Sequence, residues 1–167
     1  VRDTSYPNFL NYIKGEHKLI ILRTFSKVYG LAGLRIGYGI AEDYLIGCLN
    51  KIRGPFNTNL LAQVAALAAL DDEEHLTRTL TANQEGLNYF YRELDEIGIA
   101  YIPTQANFFL VKVGKESGSV YESLLREGVI VRGMSGYGLP DYLRISVGLP
   151  GENEKCIQSL KKVLAGG

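Results

Sequence analysis

Between positions 76 and 97, Leu76, Leu80, Leu87, Phe90, Leu94 and Ile97 recur at steps of three, four and seven residues, and Gly98 follows directly. That spacing predicts one long amphipathic helix with a glycine stop. The acidic run Asp71-Asp72-Glu73-Glu74 opens it, where negative charge favours a helix N-terminus. A helix with one apolar stripe must bury it against another layer. The following residues supply that layer. Positions 107–113 predict a strand with Phe109, Val111 and Val113 on one face, and 117–127 a short helix ending at Gly128. Strands are expected at 129–131 and 142–147, and a closing helix at about 151–165 with Ile157, Leu160 and Leu164 on one face. Residues 73–167 thus read α-β-α-β-β-α, a small α/β unit.

Residues 1–72 read differently. The apolar run at 18–22, Lys-Leu-Ile-Ile-Leu, fits a strand buried on both faces, as in a parallel sheet under helices. A second strand is expected at 35–41, where Gly37 and Gly39 permit close backbone approach. A helix over 59–70 follows Pro55, with Asn57, Thr58 and Asn59 as N-cap candidates. It is apolar nearly all round, so burial or a subunit contact is expected. These strands are too few to close a sheet. The chain opens Val-Arg-Asp and its sole methionine is Met134, so residues 1–72 are expected to be the incomplete end of a larger domain.

Composition removes several function classes. Eighteen Lys+Arg balance eighteen Asp+Glu, leaving no basic field for nucleic acid or an anionic membrane. No apolar run approaches the ~20 residues that span a bilayer, and no charged-then-apolar leader opens the sequence. Cys48 and Cys156 make neither a disulfide framework nor a zinc site, and His17 and His75 are too few for a metal cage. Both histidines read as surface residues, and the chain as globular and cytoplasmic.

The chemistry concentrates between positions 24 and 37. Ser26 and Lys27 follow the first expected strand, at the sheet edge where open α/β sheets bind ligands. A lysine flanked by Thr24, Phe25 and Val28 is expected to be partly desolvated, which favours the neutral amine. Such an amine can condense with a carbonyl. Arg35 lies eight residues on, past Gly30 and Gly33, and a guanidinium fork with the Thr24 and Ser26 hydroxyls suits a phosphate dianion. A lysine for an aldehyde and an Arg-Ser-Thr set for a phosphate together describe pyridoxal 5′-phosphate. Nucleotide readings are weaker. No Gly-x-x-x-x-Gly-Lys-Ser/Thr is present, and Gly37-x-Gly39-x-x-Glu42 lacks a third glycine.

The stretch Thr24-Phe-Ser-Lys-Val-Tyr-Gly-Leu-Ala-Gly-Leu-Arg35-Ile-Gly37 resembles the cofactor-lysine motif of fold-type I aminotransferases, the class I/II family, and most closely its histidinol-phosphate branch. The resemblance implies Lys27 as the lysine that bonds the cofactor aldehyde, with Arg35, Ser26 and Thr24 on its phosphate. Gly128-Val-Ile-Val-Arg132 and Gly136-Tyr-Gly-Leu-Pro-Asp-Tyr-Leu-Arg144-Ile-Ser-Val-Gly148 resemble the family's small domain. Arg144 matches its carboxylate-binding arginine, and Arg132 a second arginine facing a substrate phosphate. Pro103-Thr-Gln-Ala-Asn107 matches the entry to that domain, whereas Gly133 stands where relatives often have proline.

The resemblance implies an α/β fold: part of a mainly parallel, three-layer large domain (1–72) followed by a small C-terminal α/β domain (73–167). It implies transamination of L-histidinol phosphate with 2-oxoglutarate in histidine biosynthesis, small-molecule substrates, no metal, and a homodimer when full-length. The upstream part of the family's length, which holds the pyridine nitrogen and stacks on the ring, has no counterpart here, so little turnover is expected of this chain. Rival readings are a threonine-phosphate decarboxylase, an aromatic aminotransferase, and a non-catalytic folding or interaction module.

Overall fold

A computed structural model describes residues 6–15, 18–114 and 117–165, so His17 lies outside the described residues. The chain divides into two compact units, Val1–Leu80 and Thr81–Gly167.

In the first unit, β1 (Ile21–Thr24) pairs antiparallel with β2 (Gly37–Ile40) in the register Ile21↔Ile40 to Thr24↔Gly37. Two expectations change here. The first strand starts three residues later than its apolar run suggested, and of its residues only Ile21 is buried. Its pairing in this chain is antiparallel, because the loop after Thr24 returns directly to Gly37 instead of crossing over through a helix.

Next come α1 (Asp43–Ile52), which the sequence reading lacked, and α2 (Leu60–Leu70). Of the three cap candidates for α2, Asn59 acts: its Oδ1 accepts from the Ala62 N–H at 2.8 Å. The expected burial of α2 does not occur within this chain. Only Ala62 and Ala66 are buried, while Leu60, Leu61, Val64 and Leu67 stay 59–76% exposed, because no described element packs over them. Helix α3 (Glu73–Glu96) starts as expected, with Glu73 and Glu74 in its first turn. It ends in a Schellman-type stop, in which the Ile99 N–H donates to the Leu94 carbonyl beside a left-handed Gly98.

The second unit holds β3 (Tyr101–Ile102), β4 (Phe108–Lys112), α4 (Ser117–Arg126), β5 (Arg132–Gly133), β6 (Tyr142–Ser146) and α5 (Pro150–Ala165). The sheet order is β3-β4-β6-β5, antiparallel throughout. One face of the sheet packs Phe109, Val111, Leu143 and Ile145 against Phe90 and Leu94 of α3, Leu124 of α4 and Ile157 and Leu160 of α5. The expected strand at 129–131 lies further along. Val129 is buried and Ile130 exposed, but the ladder forms only at 132–133, where the chain meets β6.

Gly86 sets how closely α3 approaches its neighbours. A Cβ there would lie 2.4 Å from Val147 Cγ1 and 3.0 Å from Asn153 Nδ2. Asn153, itself buried, grips Gly148 from both sides: the Gly148 N–H donates to its Oδ1, and its Nδ2 donates to the Gly148 carbonyl. Gly86→Ala is therefore expected to destabilise the second unit by about 1–3 kcal/mol from overpacking, despite the better helix propensity of alanine. Urea unfolding measures it, and an unchanged midpoint would show that Val147 yields freely. The cysteines differ as well. Cys48 is exposed, whereas burial pushes the Cys156 thiol up to about 11. A thiol reagent at neutral pH is expected to modify Cys48 and to reach Cys156 only after unfolding.

Candidate functional site

The first unit gathers four of the predicted residues on one loop. Thr24 ends β1, Arg35 precedes β2 by two residues, and the Phe25 N–H donates to the Ile36 carbonyl at 3.3 Å across the neck. This closure is tight. A Cβ on Gly37 would lie 2.6 Å from the Arg23 carbonyl oxygen, so the backbone approach needs glycine. Inside the loop, the Thr24 hydroxyl accepts from the Ser26 N–H at 3.0 Å, and a turn from Lys27 to Gly30 places Gly30 in the left-handed region. Phe25 is buried, with Tyr29 and Tyr38 packed on it at ring distances of 5.0 and 5.8 Å, so both tyrosines serve packing.

Lys27 projects from this turn and is exposed, not partly desolvated as expected, because Phe25 turns inward and the chain lays nothing over the lysine. Among the described residues its amine makes no hydrogen bond or ion pair. Arg35 is also exposed and sits at φ +55°, which is uncommon for a residue with a side chain. Its guanidinium donates to the Ala32 carbonyl at 2.7 Å, and its other N–H groups have no partner among the described residues. Two concave regions adjoin the ribbon, one lined by Arg23, Thr24, Gly37 and Tyr38 and the other by Ile36, Arg53, Phe56 and Gln63; neither includes Lys27 or Arg35.

The second unit brings its two predicted residues together. In the β5–β6 pairing Arg132 stands directly opposite Arg144, so both side chains leave the same face of the sheet. That face is the one turned away from the helices, since Arg144 alternates with the buried Leu143 and Ile145. Arg144 is the third residue of β6, as in the strand expected at 142–147. Like charges directly opposite repel, and no carboxylate among the described residues neutralises either one. Each guanidinium instead lies over an aromatic ring, Arg144 at 4.9 Å from the centroid of Phe108 and Arg132 at 5.0 Å from that of Tyr137. Arg132 also donates to the Tyr137 hydroxyl, and Arg144 Nε is buried with no partner among the described residues. Two adjacent uncompensated cations with an orphaned N–H are an arrangement chemically able to bind anionic groups. Asn107 stays exposed beyond the start of β4, where its carbonyl accepts from the Val147 N–H.

Sequence reasoning missed three contributors. Tyr137 and Phe108 lay in quoted motifs, but nothing marked an aromatic ring as the seat of a guanidinium. His75, read as a surface residue, is half-buried, and its Nε2 lies 3.1 Å from the Val28 carbonyl, next to Lys27. A contact across 47 residues leaves no local signal.

Residues 3–160 match the family described as aminotransferase class I and II. The chain is 51% identical over 158 residues to the histidinol-phosphate aminotransferase of Akkermansia muciniphila, covering 95% of this chain and 43% of that protein. Among solved structures it is similar to the histidinol-phosphate aminotransferase from Clostridium acetobutylicum (TM-score 0.86, 28% identity, 96% of this chain and 50% of that one). It is also similar to that from Sinorhizobium meliloti, solved in complex with pyridoxal-5′-phosphate (TM-score 0.79, 30% identity, 88% and 41%). The expected α/β fold is thus the one these structures share, and the chain spans less than half the length of the curated relative. The arginine pair makes its own prediction. At equal ionic strength, phosphate is expected to raise the melting temperature above that in chloride, by about 1.4 kcal/mol of added stability at ten times Kd. Arg132→Gln should remove that difference, and an equal response from both proteins would show that phosphate acts elsewhere.

Proposed function

We propose, from the premise that this chain belongs to the class I and II aminotransferases, that it is part of an enzyme transaminating L-histidinol phosphate with 2-oxoglutarate. The relatives carrying that name support the substrate. The observation that carries the chemistry is the closed loop from Thr24 to Gly37, which carries both Lys27 and Arg35, with the Lys27 amine unpaired among the described residues. The residues fit pyridoxal 5′-phosphate: an amine to bond its aldehyde at Lys27, and the Arg35 guanidinium with the Ser26 and Thr24 hydroxyls for its phosphate. When bound, that group draws electrons away from the substrate Cα.

In this reading, Lys27 Nζ takes the proton from the substrate Cα and returns one on the far side of the reaction. An exposed amine on a four-carbon stem has the reach to serve both positions. The arginine pair orients the two substrates in turn. Arg144 takes the α-carboxylate of 2-oxoglutarate, and Arg132 the phosphate of histidinol phosphate, with the Phe108 and Tyr137 rings fixing each guanidinium without neutralising it. Residues 1–72 are read as part of the large cofactor-binding domain and 73–167 as the small domain. The uncovered leucines of α2 suit a contact in a full-length homodimer. No helix among the described residues is long and apolar enough to cross a membrane, and a small-molecule biosynthetic reaction of this kind suits the cytoplasm.

Borohydride reduction in the presence of pyridoxal phosphate, followed by peptide mass mapping, is expected to label Lys27. A label confined to other lysines would sink the reading. Because the chain spans less than half of its relatives' length, 2-oxoglutarate-dependent loss of histidinol phosphate is expected to be at or near background for the chain alone. Robust turnover would show that it needs nothing further, and carbon dioxide release would identify a decarboxylase instead.

A further inference from the structure

We propose that His75 is a positioning residue, whose hydrogen bond to the Val28 carbonyl fixes the backbone that carries Lys27; the inference rests on the reading of Lys27 as the cofactor-bearing amine. A carbonyl oxygen only accepts, so Nε2 carries the proton in this 3.1 Å contact. The Thr79 hydroxyl oxygen, one helical turn on, lies 3.4 Å from the same nitrogen. The imidazole is held from a rigid element. The His75 N–H donates to Asp72 Oδ1 at 2.9 Å, which places the residue in the capped first turn of α3.

The loop lacks comparable support of its own. Apart from the Phe25–Ile36 closure at its neck, its other backbone hydrogen bonds, from Ser26 to the Thr24 hydroxyl, Gly30 to Lys27, Leu31 to Phe25, Leu34 to Leu31 and Arg35 to Ala32, stay within the loop and tie it to no second element. Two anchors therefore bracket the lysine. Phe25 is buried before it, and Val28 is held by His75 after it. The exposed Lys27 stem meets no packing that would aim it, so its direction is set by the backbone between those anchors. Misplacing a reacting group by about 1 Å can cost on the order of 100-fold in rate, which makes a distant anchor of this kind consequential.

His75→Ala removes the donor, and His75→Gln restores an N–H at similar reach. Amide hydrogen exchange of the peptide spanning residues 24–31, in the chain without cofactor, is expected to quicken about 10-fold in the alanine variant and to return near wild type in the glutamine variant. Peptides of β4 and β6 should stay unchanged in both. The rate of borohydride-trapped labelling of Lys27 by pyridoxal phosphate should fall about 10-fold and recover in the same order, which a role confined to helix stability would not produce. Equal exchange of residues 24–31 in wild type and alanine variant overturns the proposal, as does labelling at the wild-type rate despite faster exchange. If wild type itself takes no label at Lys27, the reading of that lysine fails, and the exchange comparison still decides whether His75 holds the loop.

Discussion

The closure between Thr24 and Gly37 is the constraint on which the first unit depends. The strands pair there only because residue 37 has no Cβ to meet the Arg23 carbonyl. Closure turns a stretch of sequence into a loop with fixed ends, and that loop carries both Lys27 and Arg35. Phe25 plugs this loop from within, and the left-handed Arg35 ends it at a small cost in backbone strain. That strain sits at the residue read as the phosphate ligand, as at other functional positions.

The second unit makes a binding surface differently. Its sheet commits one face wholly to the core, and the alternation of strand residues then directs Arg144 outward between Leu143 and Ile145. A short pairing of only two residues in β5 suffices to bring Arg132 opposite it. A protein optimised for stability alone would pair such charges with carboxylates. Seating them on Phe108 and Tyr137 holds their direction while leaving their charge available to a ligand.

Legibility in the sequence followed the range of the interactions. Helix α3 and its ends were readable because caps and apolar spacing act within a few residues. The buried pair Phe109–Val111 follows from alternation in the same way. The lysine-arginine motif was visible as a pattern, and the cross-strand meeting of Arg132 with Arg144 was not, because register depends on which strands pair. The antiparallel β1–β2 ribbon was missed for a related reason: an apolar run reports burial but not the direction of its neighbour. Of the two expectations for α2, burial is not met within this chain, since an apolar sequence says that a surface wants cover without saying which chain provides it. His75 joins two segments 47 residues apart and left no mark at either end.

The bare leucines of α2 have a consequence for the life of the polypeptide. A ribosome releasing this stretch by itself would present the cell with a greasy rod that no later fold of the same stretch hides. Quality-control machinery reads that kind of surface as a sign of damage. Its persistence would then be governed by how soon another surface covers α2.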